Sequence, residues 1–468
     1  MTERYGAYGL AGNPAAPAGV LLRLLALNDR SITHRLSYHP ALTDEVAEAM
    51  LTHPERWVRH LLAESFTAAP ELRARLLDGP ASDAVAVAMG PHPYRIRVPP
   101  LPDGAYERLL NHERGNVRYE TVGAPSTPDH VLVPLAGHAD PYFRRAACRR
   151  VWHLLDAGAR SALLADPDHD VRTAASLQVM DEDEERTEEL VRTQTDAWHL
   201  GEVVERGRLG RALAERLVAE GVLLARLALN PTLPADLAAG LADHENPAVR
   251  LAVSARPELS EDERAAIDWR IDAEDRLPCL RWAWDARHDP ETLRRCATSA
   301  HTWLRRSAAM CPELPQDCVE LLAGDADFAV RLLLAESHPE APAELLLDLY
   351  LHGTHRAVGS LTSRPRFPAA GLARRFADAP DPRARALALR DPAATPELVE
   401  RLSRDPDAGV RGTAAHDPRL PVLRLLELLA DPATAMAAAT NPVLPPAEMY
   451  ALLDREGIPR GTVRRGVR

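Results

Sequence analysis

The chain has 468 residues, of which 46% are hydrophobic, so it can bury large cores and is not disordered as a whole. Its 68 acidic residues outnumber its 56 basic ones, and the resulting net charge of -12 disfavours nucleic acid as a partner. No run of about 18 apolar residues occurs and the N-terminus lacks a basic and then apolar leader, so we expect neither a membrane span nor a signal peptide.

The basic residues and the cysteines indicate where the protein works. All 56 basic residues are Arg, which indicates a GC-rich, bacterial coding genome. The five cysteines are spread from Cys148 to Cys318 and do not form the even, closely spaced set of a disulfide framework. We therefore expect a cytoplasmic protein.

The forty prolines follow a repeat. In the C-terminal half, prolines such as Pro231, Pro339 and Pro392 recur at intervals close to 26 residues. A second marker, Val or another apolar residue followed by Arg, comes 18 residues after several of these prolines, as at Val249 and Val410. The same spacing of about 26 residues extends back to Pro40, so the repeat covers nearly the whole chain.

One unit, Asn230 to Arg256, shows how each repeat should fold. Asn before Pro favours a turn, and Pro234 is tolerated in the first turn of a helix. A first helix through Leu241 is then broken by residues 243–247, and a short second helix follows over 248–255. No segment alternates β-branched residues with period two, so we predict no sheet.

The units resemble a known family, the leucine-rich repeat variant, whose short HEAT-like repeats stack into a solenoid. The resemblance lies in strings such as NPTLPADLAAGLADHENPAVR and DPAATPELVERLSRDPDAGVR, and it extends over residues 20–456. It implies an all-α fold, a right-handed type of α-solenoid with about 15 to 16 short helical pairs of about 26 residues. Repeats of this family are mostly binding scaffolds.

In chain order we expect five regions: a flexible N-terminal segment over 1–20, a repeat array over 21–180, divergent acidic repeats over 181–228, a regular array over 229–456 and a basic tail over 457–468. The runs 21–28 and 449–453 are predicted to cap the two ends of the solenoid.

The arginines of the Val-Arg marker recur once per unit, and several of them follow Asp residues. A guanidinium beside a carboxylate of its own or the adjacent turn would lock one repeat to the next. The alternative is an arginine stripe that grips an acidic peptide or phosphate. We favour the structural ladder and assign it to Arg59, Arg172, Arg250, Arg331 and Arg411.

A tryptophan cluster coincides with units of irregular length, 33 and 22 residues. We expect a partner-binding hot spot at Trp282, Trp284, Trp303 and Arg306, because aromatic and Arg residues dominate interface energetics. The alternative is a core role between repeats. A HEAT-like DNA enzyme of the alkylpurine glycosylase kind would use Asp285 or Asp289 as its acid, but the repeat is too short for that family.

Four cysteines, Cys279, Cys296, Cys311 and Cys318, lie close together in the sequence, and iron-sulfur clusters occur with some members of the resembled family. No C-x-x-C pair is present, so buried apolar thiols are the favoured interpretation. We expect no metal and no cofactor. The chain also contains no P-loop, G-x-S-x-G or H-E-x-x-H motif, so we assign no catalytic residue.

The sequence therefore predicts a non-catalytic scaffold that binds a protein or peptide along one face of a solenoid. A glycosylase-like enzyme is the first alternative, and an iron-sulfur or metal-associated repeat protein is the second. The oligomeric state is left open.

Overall fold

The computed structural model describes residues 4–91, 98–194, 196–272 and 275–460. These residues contain helices and turns but no strand, so the predicted all-α fold is confirmed. No helix in the described ranges is both long and apolar enough to cross a membrane. The chain forms two compact units: unit 1 comprises residues 1–159 together with 369–468, and unit 2 comprises residues 160–368.

The helices are short throughout. In the first part of unit 1 they are α1 Tyr5–Leu10, α2 Ala18–Ala26, α3 Arg30–Ser37, α4 Asp44–Leu51, α5 Arg56–Ala63, α6 Pro70–Ala74, α7 Ala84–Met89, α8 Asp103–Leu110, α9 Gly115–Gly123, α10 Asp129–Leu132 and α11 Pro141–Val151. Along unit 2, with α12 beginning just before it, they are α12 Ala157–Leu164, α13 His169–Val179, α14 Glu184–Thr193, α15 Ala197–Arg206, α16 Arg211–Glu220, α17 Leu224–Ala228, α18 Ala235–Gly240, α19 Pro247–Ser254, α20 Glu261–Ala266, α21 Arg281–Asp285, α22 Pro290–Thr298, α23 Thr302–Met310, α24 Gln316–Ala323, α25 Phe328–Ser337 and α26 Ala343–His352.

Unit 1 then resumes with α27 Leu372–Phe376, α28 Pro382–Ala388, α29 Pro396–Leu402, α30 Ala408–His416, α31 Val422–Leu429, α32 Ala435–Ala439 and α33 Pro446–Arg455. Short stretches of 3₁₀ helix supplement them at Arg75–Asp78, Val133–Gly137, Trp152–Leu154 and Arg356–Ser363.

The unit around α18 and α19 shows why the sequence folds this way. Pro234 precedes α18, where its missing N–H costs nothing, and Pro247 opens α19. The side chain of Asn246 caps α19 by accepting a bond from Ala248 N at 2.9 Å. Val249 and Val253 face the core of this region. Both helices end within one or two residues of their predicted limits.

Buried asparagines confirm the 26-residue period. Asn230 Nδ2 donates to Val204 O, 26 residues earlier, at 2.9 Å. Asn441 Nδ2 likewise donates to Ala415 O, again 26 residues earlier, at 2.8 Å. Both side chains are fully buried. Each therefore ties the start of one solenoid repeat to the preceding repeat and satisfies carbonyls at the end of a helix.

The first and last helices of the described residues pack together within unit 1. Asn13 Nδ2 donates to Ala439 O and to Asn441 O, both at 2.8 Å, so it occupies the place that follows Asn441 in the repeat. The helix α1 approaches α32 so closely that a Cβ at Gly9 would lie 2.4 Å from Met436 O. Arg23 Nη2 completes the junction with Asp454 Oδ1 at 2.7 Å.

The junction includes residues of the segment 1–20, which is expected from the sequence to be flexible. Tyr5–Leu10 is helical, and Ala7 and Leu10 are fully buried. The runs that were expected to cap separate ends belong to α2 and α33, and these two helices contact each other. The repeat period does not predict this contact, because it identifies helices that are neighbours along the chain and not contacts between the first and last helices.

The predicted divergent region, 181–228, shares its core with the regular repeats that follow it. Val204, Leu213 and Leu227 pack in one cluster with Val249 and Val253. Of the predicted basic tail, residues 461–468 lie outside the described residues. Arg460 Nη2 lies 2.6 Å from Asp454 Oδ2.

Candidate binding site around Trp282

In unit 2 one repeat is lengthened by an insertion between α20 and α21. Pro257 and Pro290 are 33 residues apart instead of 26, and residues 267–272 and 275–280 are not helical. After this stretch comes α21, a helix of 5 residues that carries Trp282 and Trp284. The insertion therefore places two indoles on a short helix where regular units carry Leu or Val.

Trp282 lies between two cavities. Its indole Nε1 donates to Ala255 O at 3.1 Å, which fixes the ring, and the side chain is half-buried. The first, cavity A, has a volume of about 400 Å³, and the second, cavity B, has a volume of about 440 Å³. Trp282 lines both of them, so one fixed indole forms a wall common to two openings.

Cavity A contains an incompletely paired guanidinium. Arg264 is only 4% exposed, and its Nη1 donates to Ser254 O at 2.5 Å. Its Nε lies 3.4 Å from Glu261 Oε1 but makes no hydrogen bond. Burial lowers the pKa of Arg264 below its usual value. Arg295, which is exposed, also lines this cavity.

The carboxylates of cavity A are already engaged. Glu261 accepts bonds from Ser299 Oγ at 2.8 Å and from Ala300 N at 2.9 Å. Glu263 belongs to the capping box of α20, where its hydrogen bonds with Ser260 lower its pKa. The polar groups with spare donors in cavity A are therefore arginines.

Cavity B has the same number of acidic and basic side chains as cavity A, whose lining holds Glu258, Glu261, Glu263, Arg264 and Arg295. Three carboxylates line cavity B, those of Asp181, Glu205 and Asp285, together with two guanidinium groups, those of Arg206 and Arg281. Its apolar wall consists of Trp282, Leu229, Pro231 and Ala286.

Most charges of cavity B are paired at its rim. Arg281 Nε lies 2.9 Å from Asp285 Oδ2, and Arg206 pairs with Glu202 one helical turn earlier. Asp181 is exposed and has no ion pair or hydrogen bond to its side chain within the described ranges. Cavity B therefore offers a free carboxylate beside an indole.

The other predicted hot-spot residues do not line these cavities. Trp284 is 40% exposed, and the guanidinium of Arg287 lies 5.5 Å from its ring centre. Trp303 is buried and donates from Nε1 to Pro278 O at 2.7 Å. Arg306 is also buried; it pairs with Asp327 and donates to Asp275 O.

The predicted hot spot stays a prediction, and its four residues have different surroundings. Trp303 and Arg306 are buried and donate to carbonyls of the inserted segment. The sequence reasoning missed Arg264, Arg295, Asp181 and Glu205, because cavity lining depends on how turns meet and not on a motif. It also missed Trp198, which is 67% exposed on α15.

The arginine ladder closes turns inside repeats. In each of the five residues, Nη1 donates to the carbonyls 5 and 6 residues earlier, as Arg411 does to Pro406 O and Asp405 O. Two of them also reach the next unit: Arg59 pairs with Asp83, and Arg250 pairs with Asp268. The other four make the same turn contacts: Arg59 with His53 O and Pro54 O, Arg172 with Asp166 O and Pro167 O, Arg250 with His244 O and Glu245 O, and Arg331 with Asp325 O and Ala326 O.

The clustered cysteines lie in this region as well. Cys279 Sγ and Cys311 Sγ both lie near Ser307 O, at 3.7 and 3.4 Å. Burial raises the pKa of Cys296 to about 12, so its thiol stays protonated. Within the described ranges no three His, Cys, Asp or Glu side chains gather as metal ligands.

The two acids considered for a glycosylase-like enzyme have other partners. Asp285 pairs with Arg281. Asp289 caps α22, and its bonds from Thr292 Oγ1 and Glu291 N lower its pKa. A general acid needs a raised pKa near neutral pH, so this environment does not suit the role.

Comparisons with known proteins do not assign the chain to a family. No protein-family model matches it, and no curated protein matches it. Among solved structures it is similar to the karyopherin Kap121p bound to the extreme C-terminus of the protein phosphatase Cdc14p, with 13% identity and a TM-score of 0.23. The match covers 94% of this chain and 55% of that one. The chain thus spans about half the length of that karyopherin.

Proposed function

We propose that this chain is a non-catalytic scaffold of leucine-rich repeat variant type, working in the bacterial cytoplasm, and that it binds a peptide segment of a partner protein at Trp282. The observation that carries the proposal is the indole of Trp282, fixed by Ala255 O and forming a wall of both cavity A and cavity B. Half-buried tryptophans flanked by concave surface are the residues on which interface energy concentrates.

The size of the cavities supports a peptide ligand. Each cavity, at about 400 to 440 Å³, is large enough to receive a side chain of a partner. In an extended peptide, alternate side chains point the same way and stand about 7 Å apart. Two cavities that share one side chain as a wall therefore suit two alternate residues of one extended segment.

The charges of the cavities support a polar, sequence-selective ligand. Cavity A presents the arginines Arg264 and Arg295, whereas cavity B presents the free carboxylate of Asp181. Unpaired donors in cavity A and an unpaired carboxylate in cavity B would fix the direction in which a peptide lies, because acceptor side chains prefer cavity A and basic ones prefer cavity B.

Selection of random displayed peptides on the purified chain tests this proposal. We expect enriched peptides to bind the native chain and to lose most of their affinity for Trp282→Leu. The matched control is Trp284→Leu, which removes an exposed indole two residues away that lines neither cavity, and it should bind as the native chain does.

Circular dichroism and thermal unfolding of both variants establish that each is folded before binding is compared. The proposal is wrong if no peptide is enriched, or if the enriched peptides bind the folded Trp282→Leu variant with unchanged affinity.

A further inference from the structure

Cavity B combines an aromatic wall with an excess of carboxylates. Its lining holds Asp181, Glu205 and Asp285 against the guanidinium groups of Arg206 and Arg281. Both arginines are already paired, with Glu202 and Asp285 respectively, so neither supplies an unshared positive charge. The unshared charge in the lining is that of Asp181, and it is negative.

The surroundings extend this negative character. Asp181 is the first residue of the stretch DEDEERTEE, which holds seven acidic residues and one Arg in positions 181–189. Glu182, Glu184 and Glu185 are exposed. A charged stretch at the mouth of a cavity attracts ligands of the opposite sign and raises their rate of encounter.

We propose that cavity B receives a basic side chain, Arg or Lys, of the bound peptide. This inference rests on the proposed peptide-binding function and names the chemistry of its ligand. The methylene stem of the basic residue lies against the apolar wall of Trp282, Leu229 and Pro231, and its cationic head reaches the carboxylate of Asp181.

The indole adds to this preference. A cation close to the face of a tryptophan is attracted by the negative charge of the ring face, and this attraction strengthens when the site excludes water. Trp282 is held by its bond to Ala255 O, so its ring does not need to be ordered when the ligand arrives. A neutral or acidic side chain would gain neither interaction.

The existing pair at the rim does not block the site. Arg281 and Asp285 are both exposed and one helical turn apart, a geometry in which the ion pair is weak. An incoming guanidinium can therefore share Asp285 with Arg281. Glu205 is more constrained, because it already pairs with Arg226.

The experiment uses the full chain and two matched probes, the dye-labelled peptide Gly-Arg-Leu-Arg-Gly and the same peptide with citrulline in place of Arg. Citrulline keeps the shape of Arg and removes its charge. Fluorescence anisotropy measures the affinity of both for the native chain and for three variants, Asp181→Asn, Glu182→Gln and Trp282→Leu. Glu182→Gln is the matched control, since it removes one exposed charge next to Asp181 but outside the cavity.

We expect the Arg peptide to bind the native chain about tenfold more tightly than the citrulline peptide. Asp181→Asn should remove most of this difference, whereas Glu182→Gln should keep it. Equal loss in both carboxylate variants would show general attraction to an acidic surface and would overturn the inference.

The two proposals fail in different ways. If displayed or synthetic peptides bind in a Trp282-dependent manner but citrulline replaces Arg without loss, the basic side chain is wrong and the peptide-binding function stands. If neither probe binds and no displayed peptide depends on Trp282, both are wrong.

Discussion

A buried arginine makes more hydrogen bonds to carbonyls at a regular turn than at the interrupted turn. At a regular turn, Arg256 is buried and donates from Nη1 to Ala228 O and Asn230 O, both at 2.9 Å, and from Nη2 to Leu233 O at 3.2 Å. After the interruption begins, Arg264 is equally buried, but its guanidinium makes one bond to a carbonyl, that of Ser254.

The difference shows where donors without a partner and open cavities occur in this fold. In regular repeats the arginine donors of one turn bond to carbonyls of the preceding turn. In unit 1, for example, Arg419 donates to Asp391 O and Ala394 O. Where the period changes from 26 to 33 residues, the turns no longer match, and Arg264 and Trp282 border open cavities. The regular turns pair their buried donors with carbonyls, whereas the irregular one leaves Arg264 Nε without a hydrogen bond.

The largest expected effect is on the free energy of unfolding, and it tests the contrast between the regular and the irregular turn. Arg256→Met should lower the free energy of unfolding by about 4 kcal/mol, because it leaves buried carbonyls without donors. Arg264→Met should cost only about 1 to 2 kcal/mol, since one carbonyl bond is lost. Urea denaturation followed by circular dichroism measures both.

The exposed pair of Arg404 with Glu400 supplies the control for these two variants. Arg404→Ala should leave the urea midpoint unchanged within error. Equal losses for Arg256→Met and Arg264→Met would break the comparison between regular and irregular turns.

The second effect concerns acid sensitivity of the interrupted region. His301 stacks on Trp269 with ring centres 4.1 Å apart, and burial, with help from Arg264 and Arg305, lowers its pKa to about 3. In the unfolded chain the imidazole of His301 is therefore protonated below about pH 6.5, whereas in the folded chain it stays neutral. The free energy of unfolding consequently falls as the pH drops below that value. Between pH 7 and pH 5 the loss from this group should be about 2 kcal/mol.

Comparison with His301→Gln isolates that contribution. The variant should be less stable at pH 7 but should lose less stability on going to pH 5 than the native chain does. His288→Gln, which changes an exposed histidine on the same unit, should follow the native pH profile. A parallel profile for His301→Gln would show that His301 does not carry the acid sensitivity.

The smallest effect lies in the arginine ladder. Arg411→Ala removes two bonds to carbonyls of its own turn and should cost about 1 kcal/mol. Arg385→Ala should cost more, because Arg385 also pairs with the buried Asp405 of the next unit at 2.7 Å. Thermal unfolding of the two variants ranks them, and the reverse order would contradict this account of the ladder.

Regular spacing made most of the fold predictable. Pro231, Pro234 and Asn246 mark where helices begin, and the helices α18 and α19 follow them closely. The binding cavities were less predictable. Trp282 could be singled out because aromatic residues cluster where the period fails, but the burial of Trp303 and the open position of Arg264 depend on contacts between turns that no local pattern encodes.

In unit 1, α1 is synthesised well before α32, the helix against which it packs at the junction. The ribosome completes Ala7 and Leu10 roughly 20 to 85 s before it completes residue 435, at about 5 to 20 residues per second. Throughout that interval α1 can pack only against its sequence neighbours α2 and α3, and the surface that contacts α32 stays available to chaperones or to other nascent chains. The packing of α1 is thus completed only when α32 has been made.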